Sequence, residues 1–102
     1  MKTENFFKNK RVTIMGLGLL GGGVGVTKFL CQQGAKVLVT DLKTKKQLRK
    51  SIQELKEFQI KYILGKHRAE DFINTDLVVK NPGVPNDSLY LGIAKKHNIL
   101  IE

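Results

Sequence analysis

Six of the ten glycines in this 102-residue chain fall between Gly16 and Gly25, in the run GLGLLGGGVG. The run follows an apolar stretch (Val12, Ile14, Met15) and precedes a segment with helical spacing. Glycine inside a helix costs roughly 0.5–1 kcal/mol relative to alanine. Several in succession therefore point to backbone with φ > 0, or to something large pressed against the main chain. A strand, a glycine-rich turn and a helix N-terminus in that order form an anion site, because free N–H groups and the helix dipole converge on one spot. The chemistry expected of this stretch is the holding of a phosphate or pyrophosphate.

Gly16-x-Gly18-x-x-Gly21 is a complete dinucleotide-type fingerprint, and Asp41 stands twenty residues past its last glycine. Such a motif gains meaning between a strand and a helix, with an acid closing the second strand. Asp41 would accept from ribose hydroxyls there, or simply terminate the strand. Gly65-Lys66 is no ATP-hydrolysing P-loop, since Ile60 and His67 occupy the places of its first glycine and its hydroxyl residue. His67 reads as a loop-ordering residue. His97 sits where a cation suits the end of a helix, and Cys31 reads as a small apolar side chain. No nucleophile, base or metal cluster with catalytic spacing is visible. The other informative stretch is Asn81-Pro82-Gly83-Val84-Pro85. Pro82 forces Asn81 into extended backbone, and Gly83 allows the main chain close to a ligand.

Elements must carry these residues. Residues 11–15 predict a first strand. A first helix is expected from Gly22 to Gln33, turning Val24, Val26, Phe29 and Leu30 to a sheet and closing on Gly34. The apolar run 37–39 predicts a strand covered on both faces and ending at Asp41. Thr44 and Gln47 have the spacing of a capping box, ahead of an amphipathic helix through Leu48, Ile52 and Leu55. Residues 61–64 and 76–79 predict the third and fourth strands, with one or two helical turns at 69–73 between them. Ser88 or Asp87 caps a last helix with Leu89, Ile93 and Ala94 inward and its end at Asn98. Residues 99–101 are the last strand. Alternation at this spacing predicts an α/β, Rossmann-like three-layer domain around a mostly parallel sheet of about five strands. Residues 1–102 are expected to form one domain. Its ligand would lie beyond the C-terminal strand ends, where the strand order reverses.

Composition narrows the classes. The chain is 41% hydrophobic and 26% charged, ordinary for a soluble globular domain. One cysteine excludes an internal disulfide framework. No segment has the pattern of a signal peptide or a membrane span, and a cytoplasmic location is expected. The net charge of +9 favours anionic ligands. The lysines are dispersed and not interleaved with aromatics, which speaks for a basic solvated surface and against nucleic acid.

The turn Gly16-Leu17-Gly18-Leu19-x-Gly21, Asp41, Leu64-Gly65-x-His67 and Asp76-Leu77-Val78-Val79-x-x-Pro82-Gly83-Val84-Pro85 together resemble the N-terminal domain of Mur ligases, over nearly the whole chain. The resemblance is strongest to the branch that adds D-glutamate to UDP-N-acetylmuramoyl-L-alanine in peptidoglycan synthesis. It implies a Rossmann-like domain that holds the UDP part of that substrate. Gly18, Leu19, Leu20 and Gly21 would receive the diphosphate. Asp41, Leu42 and Lys43 would lie near the uridine, and Asn81, Pro82 and Gly83 would border the sugar-phosphate. ATP, Mg²⁺ and D-glutamate would act through two further domains, so no cofactor and no catalytic residue is expected in this chain. Leu20 replaces a hydroxyl residue frequent in the family, and Asn81 replaces its usual serine. The fingerprint alone also admits a regulatory or redox NAD(H)-binding domain, or a scaffold without ligand.

Overall fold

The computed structural model describes residues 6–18 and 22–102. Leu19, Leu20 and Gly21, three residues of the expected phosphate turn, lie outside the described residues. The strands are β1 (Arg11–Met15), β2 (Lys36–Asp41), β3 (Lys61–Leu64), β4 (Leu77–Lys80) and β5 (Leu100–Ile101). The helices are α1 (Gly22–Gln32), α2 (Arg49–Glu54) and α3 (Leu89–Lys96), with a 3₁₀ turn at Ala69–Phe72. The sheet runs β3-β2-β1-β4-β5, and all four pairings are parallel. The order reverses at β1, whose neighbours are β2 and β4.

Side chains alternate across the sheet as the pleat requires. Val12, Ile14, Val37, Val39 and Leu77 pack on one face with Val24 and Leu30 of α1, and with Leu48 and Leu55 beside and after α2. Met15 and Val78 face the other way, onto Phe72, Leu91 and Ala94. The two apolar clusters thus sandwich the sheet between helices. On the second face β1 and β2 also present threonines. Thr13 donates to the Asp71 carbonyl (2.7 Å), and Thr40 lies 3.2 Å from the Lys66 carbonyl, so the chain from 66 to 72 seals that region.

Local chemistry sets the ends of the elements. Gly34 (φ +86°) and Asn98 (φ +60°) take the left-handed conformation that closes α1 and α3. Ser88 caps α3 by accepting from the Tyr90 N–H (3.3 Å). Thr44 and Gln47 form the reciprocal box: the Thr44 N–H donates to Gln47 Oε1 (2.8 Å), and the Gln47 N–H to Thr44 Oγ1 (3.3 Å). The box tightens the turn preceding α2, which starts only at Arg49.

Two inward faces differ from expectation. Val26 and Phe29 are 40% and 49% exposed; α1 instead buries Gly23, Val24, Thr27 and Leu30. The phase is set by Gly23, where a Cβ would overlap the Leu17 carbonyl. Only glycine lets the helix approach the end of β1 this closely. A methyl at Gly22, Gly25 or Gly92 would meet nothing within 4 Å. In α3, Leu89 is 71% exposed, while Leu91 and Ala94 are buried.

Candidate functional site

The C-terminal ends of β1, β2 and β4 surround a cleft of about 470 Å³. Its floor is the glycine turn. Gly16 (φ +90°) and Gly18 (φ +78°) hold backbone that residues with a side chain rarely adopt. A Cβ at Gly16 would meet Asn81 Cβ at 3.0 Å, and one at Gly18 would meet Asn81 Nδ2 at 2.9 Å. The turn therefore needs glycine twice over, for its dihedrals and for the Asn81 side chain lying against it. α1 begins just beyond, and the N–H groups of a first turn have no intrahelical partner.

Asp41 fixes the turn to β2. Its carboxylate, in a residue 5% exposed, accepts from the Leu17 N–H (2.8 Å) and, through the other oxygen, from the Lys43 N–H (2.8 Å). The Gly16 N–H donates to the Thr40 carbonyl (2.8 Å), extending the β1–β2 ladder into the turn. Asp41 thus borders the cleft with both oxygens engaged by backbone. Leu42 and Lys43 also line it, Leu42 with 66% of its surface open.

The opposite wall is the loop after β4. The Asn81 N–H donates to the Met15 carbonyl (2.9 Å), and Asn81 Oδ1 accepts from the Gly83 N–H (2.9 Å) in an Asx turn. The Val84 N–H closes onto the Asn81 carbonyl (2.9 Å), and Lys80 Nζ reaches the Val84 carbonyl (2.9 Å) from below. Asn81 thus supplies an amide whose oxygen shapes its own loop and whose nitrogen faces Gly18. Asn81 and Gly83 line the cleft with Gly18, Asp41, Leu42 and Lys43; Pro82 is absent from its lining, although Pro85 is present.

Sequence reasoning missed part of the third wall, the start of α3. Leu89 and Tyr90, from the start of α3, line the cleft with His67. The Tyr90 ring lies 5.3 Å from His67 and 5.4 Å from Phe72. His67 Nδ1 is 2.7 Å from Thr40 Oγ1. Burial pushes the His67 imidazole below its ordinary 6.5, opposed by the Asp41 and Asp71 carboxylates. The available signal was topological: once β4 pairs with β1, the chain leaving β4 must pass the glycine turn on its way into α3. Among the described residues no three His, Cys, Asp or Glu side chains gather as a cation site, and no helix is long and apolar enough to cross a membrane.

A larger concavity, of about 740 Å³, lies at the opposite edge, among the strand starts Arg11, Lys36 and Lys61. It lacks a glycine turn and a strand-order reversal at its mouth, the features by which open α/β sheets build ligand sites. The cleft at the β1/β4 switch point has both.

Fold and cleft together define a Rossmann-like α/β domain with its glycine turn at the switch point. Comparison with solved structures agrees: L-tryptophan dehydrogenase from Nostoc punctiforme superposes with a TM-score of 0.57 at 15% identity, over 94% of this chain and 33% of that one. That likeness concerns the fold. Residues 10–102 match the family described as Mur ligase MurD-like, N-terminal domain, and the chain belongs to that family. It is 53% identical over 91 residues to the UDP-N-acetylmuramoylalanine–D-glutamate ligase of Borreliella burgdorferi (strain ZS7), covering 87% of this chain and 20% of that protein. The ligase of the same name from Roseiflexus sp. (strain RS-1) is 48% identical over 93 residues, 91% of this chain and 20% of that protein. The one from Treponema pallidum (strain Nichols) is 41% identical over 97 residues, 93% and 18% respectively. The chain thus spans about a fifth of the length of these curated relatives.

Proposed function

We propose that residues 1–102 act as a single unit that binds the UDP portion of UDP-N-acetylmuramoyl-L-alanine for an ATP-dependent ligase adding D-glutamate in peptidoglycan synthesis. ATP, Mg²⁺ and D-glutamate engage the rest of such a ligase, and the work is cytoplasmic. The observation that carries this reading is the facing of two loops across the switch point: the Gly16–Gly18 turn and the Asn81–Gly83 turn, locked together by Asn81. Gly18, Leu19, Leu20 and Gly21 receive the diphosphate at the start of α1. Asp41, Leu42 and Lys43 border the uridine, and Asn81, Pro82 and Gly83 the sugar-phosphate.

The nicotinamide alternative shares the glycine turn and Asp41. The Asp41 oxygens each accept one backbone N–H and keep a second acceptor site for a ribose hydroxyl, so ligand preference decides between the two. The test is an amide-resolved NMR titration of the 102-residue chain. UDP and UDP-N-acetylmuramoyl-L-alanine should shift Gly16, Gly18, Lys43 and Gly83, with NADH shifting them less. Tighter binding of NADH than of either uridine ligand overturns the proposal.

A further inference from the structure

The cleft is poorly charged for the ligand it is proposed to hold. Its lining carries one ammonium, Lys43, against two carboxylates, Asp41 and Asp87. The missing positive charge lies next door. Lys45, Lys46, Arg49 and Lys50 follow Lys43 with no acid among them until Glu54. All four are exposed, and among the described residues the ion pairs within 4.0 Å involve only Arg11 and Arg68 as cations. The segment is anchored to the site: Ser51, 7% exposed, places its hydroxyl 3.5 Å from the Gly18 carbonyl, and the Asp41 carboxylate holds the Lys43 N–H. The Leu48 N–H to Thr44 carbonyl bond (3.1 Å) and the Ile52 N–H to Leu48 carbonyl bond (2.9 Å) wind it helically. At a rise of about 1.5 Å per residue, the four cations occupy about 8 Å of axis. That is about one Debye length at physiological ionic strength, so the four act as one charge cluster over that span.

We propose that Lys45, Lys46, Arg49 and Lys50 form a capture rim that speeds the association of nucleoside diphosphate ligands with the adjacent cleft while making no contact with the bound ligand. The inference rests on the uridine-diphosphate reading above. It adds that ligand selection begins before contact: a polyanionic nucleotide is drawn in and an uncharged nucleoside is not. Clustered charge of one sign beside a concave site raises encounter rates by ten- to a thousandfold in favourable cases, and salt abolishes the gain. A rim acting only through encounter changes the association rate and leaves the dissociation rate alone.

The test is stopped-flow binding of mant-labelled UDP and mant-labelled uridine to the 102-residue chain across a series of KCl concentrations. The association rate for mant-UDP should fall steeply with salt, and that for mant-uridine should stay flat. The triple variant Lys45→Gln, Lys46→Gln, Lys50→Gln should lower the low-salt association rate by about three- to tenfold, with dissociation unchanged. Arginine at the same three positions should keep the wild-type rate. Glutamine at Lys8, Lys36 and Lys61, near the opposite sheet edge, should cost less than the rim variant, which separates the rim from net charge. An unchanged association rate in the rim variant, an effect carried by dissociation alone, or an equal loss in the distant variant overturns the inference while mant-UDP still binds. Failure of the folded wild-type chain to bind any uridine nucleotide removes the underlying reading, and the inference with it.

Discussion

Asp41 engages two N–H groups, one in the glycine turn and one in the loop after β2. The bond to Leu17 is buried, so its loss leaves a donor without water or partner, at about 1–3 kcal/mol. Asp41→Ala should therefore lower stability by about that amount and broaden the Gly16 and Gly18 amide signals. An Asp41→Ala chain with wild-type stability would remove its bracing role. Gly18→Val meets a different obstacle. It forces a β-branched residue to φ +78° and drives a side chain into Asn81. The domain should still fold, weakened by about 1–3 kcal/mol, and should lose UDP binding; a folded variant that binds normally would take the turn out of the site. These two residues show how far the sequence reached. That Gly16, Gly18 and Asp41 meet at one place was legible from spacing. That Asp41 serves the backbone was not, because a carboxylate's partners depend on which N–H groups the turn presents, and those follow from φ values near +80° that no spacing reports.

At the scale of elements, strand alternation and loop chemistry read correctly because glycine, proline and capping residues have local causes. Helix phase read correctly around α2, where Leu48, Ile52 and Leu55 join the core, but not in α1 or at the start of α3. Counting apolar residues placed Val26 and Phe29 against the sheet, whereas the close approach of α1 at Gly23 turns Thr27 inward and leaves Val26 and Phe29 partly exposed, Phe29 packing edge-on against Phe7. Leu89 misled in the same way: it lines the cleft, mostly exposed, and does not fill the core. The loop from 65 to 72, pinned by His67 to Thr40, supports a pH prediction. The folded imidazole has a pKa below that of the unfolded chain, so the unfolded state binds the extra proton first. Stability should be full above about pH 6.5 and should decline as pH falls through that value toward the folded pKa. Denaturant midpoints between about pH 7.5 and 5 should show this slope, and His67→Gln should flatten it. An equal slope in the variant would assign the dependence to other groups.

The whole molecule is held by two apolar clusters on opposite faces of one sheet, and Phe72 fills the smaller of them with no exposed surface. Phe72→Ala should cost about 3–5 kcal/mol. In a chain of this length that corresponds to a melting point lower by more than about 10 °C, readable by circular dichroism. At the sheet's far edge the Arg11 guanidinium holds the Asp76 carboxyl down to about 2, tying the starts of β1 and β4 together through a solvent-exposed pair. The helices, meanwhile, contain slack. Of the glycines at the start of α1, Gly23 is obligatory, but the space around Gly25 is empty, as it is around Gly92 in α3. An added methyl would meet nothing within 4 Å at either, and each carries the entropic handicap of glycine in a helix, about 0.5–1 kcal/mol. The fold is therefore held below the stability its own backbone permits. Joint replacement of Gly25 and Gly92 by alanine marks a route to a hardier domain in which no residue lining the switch-point cleft is altered.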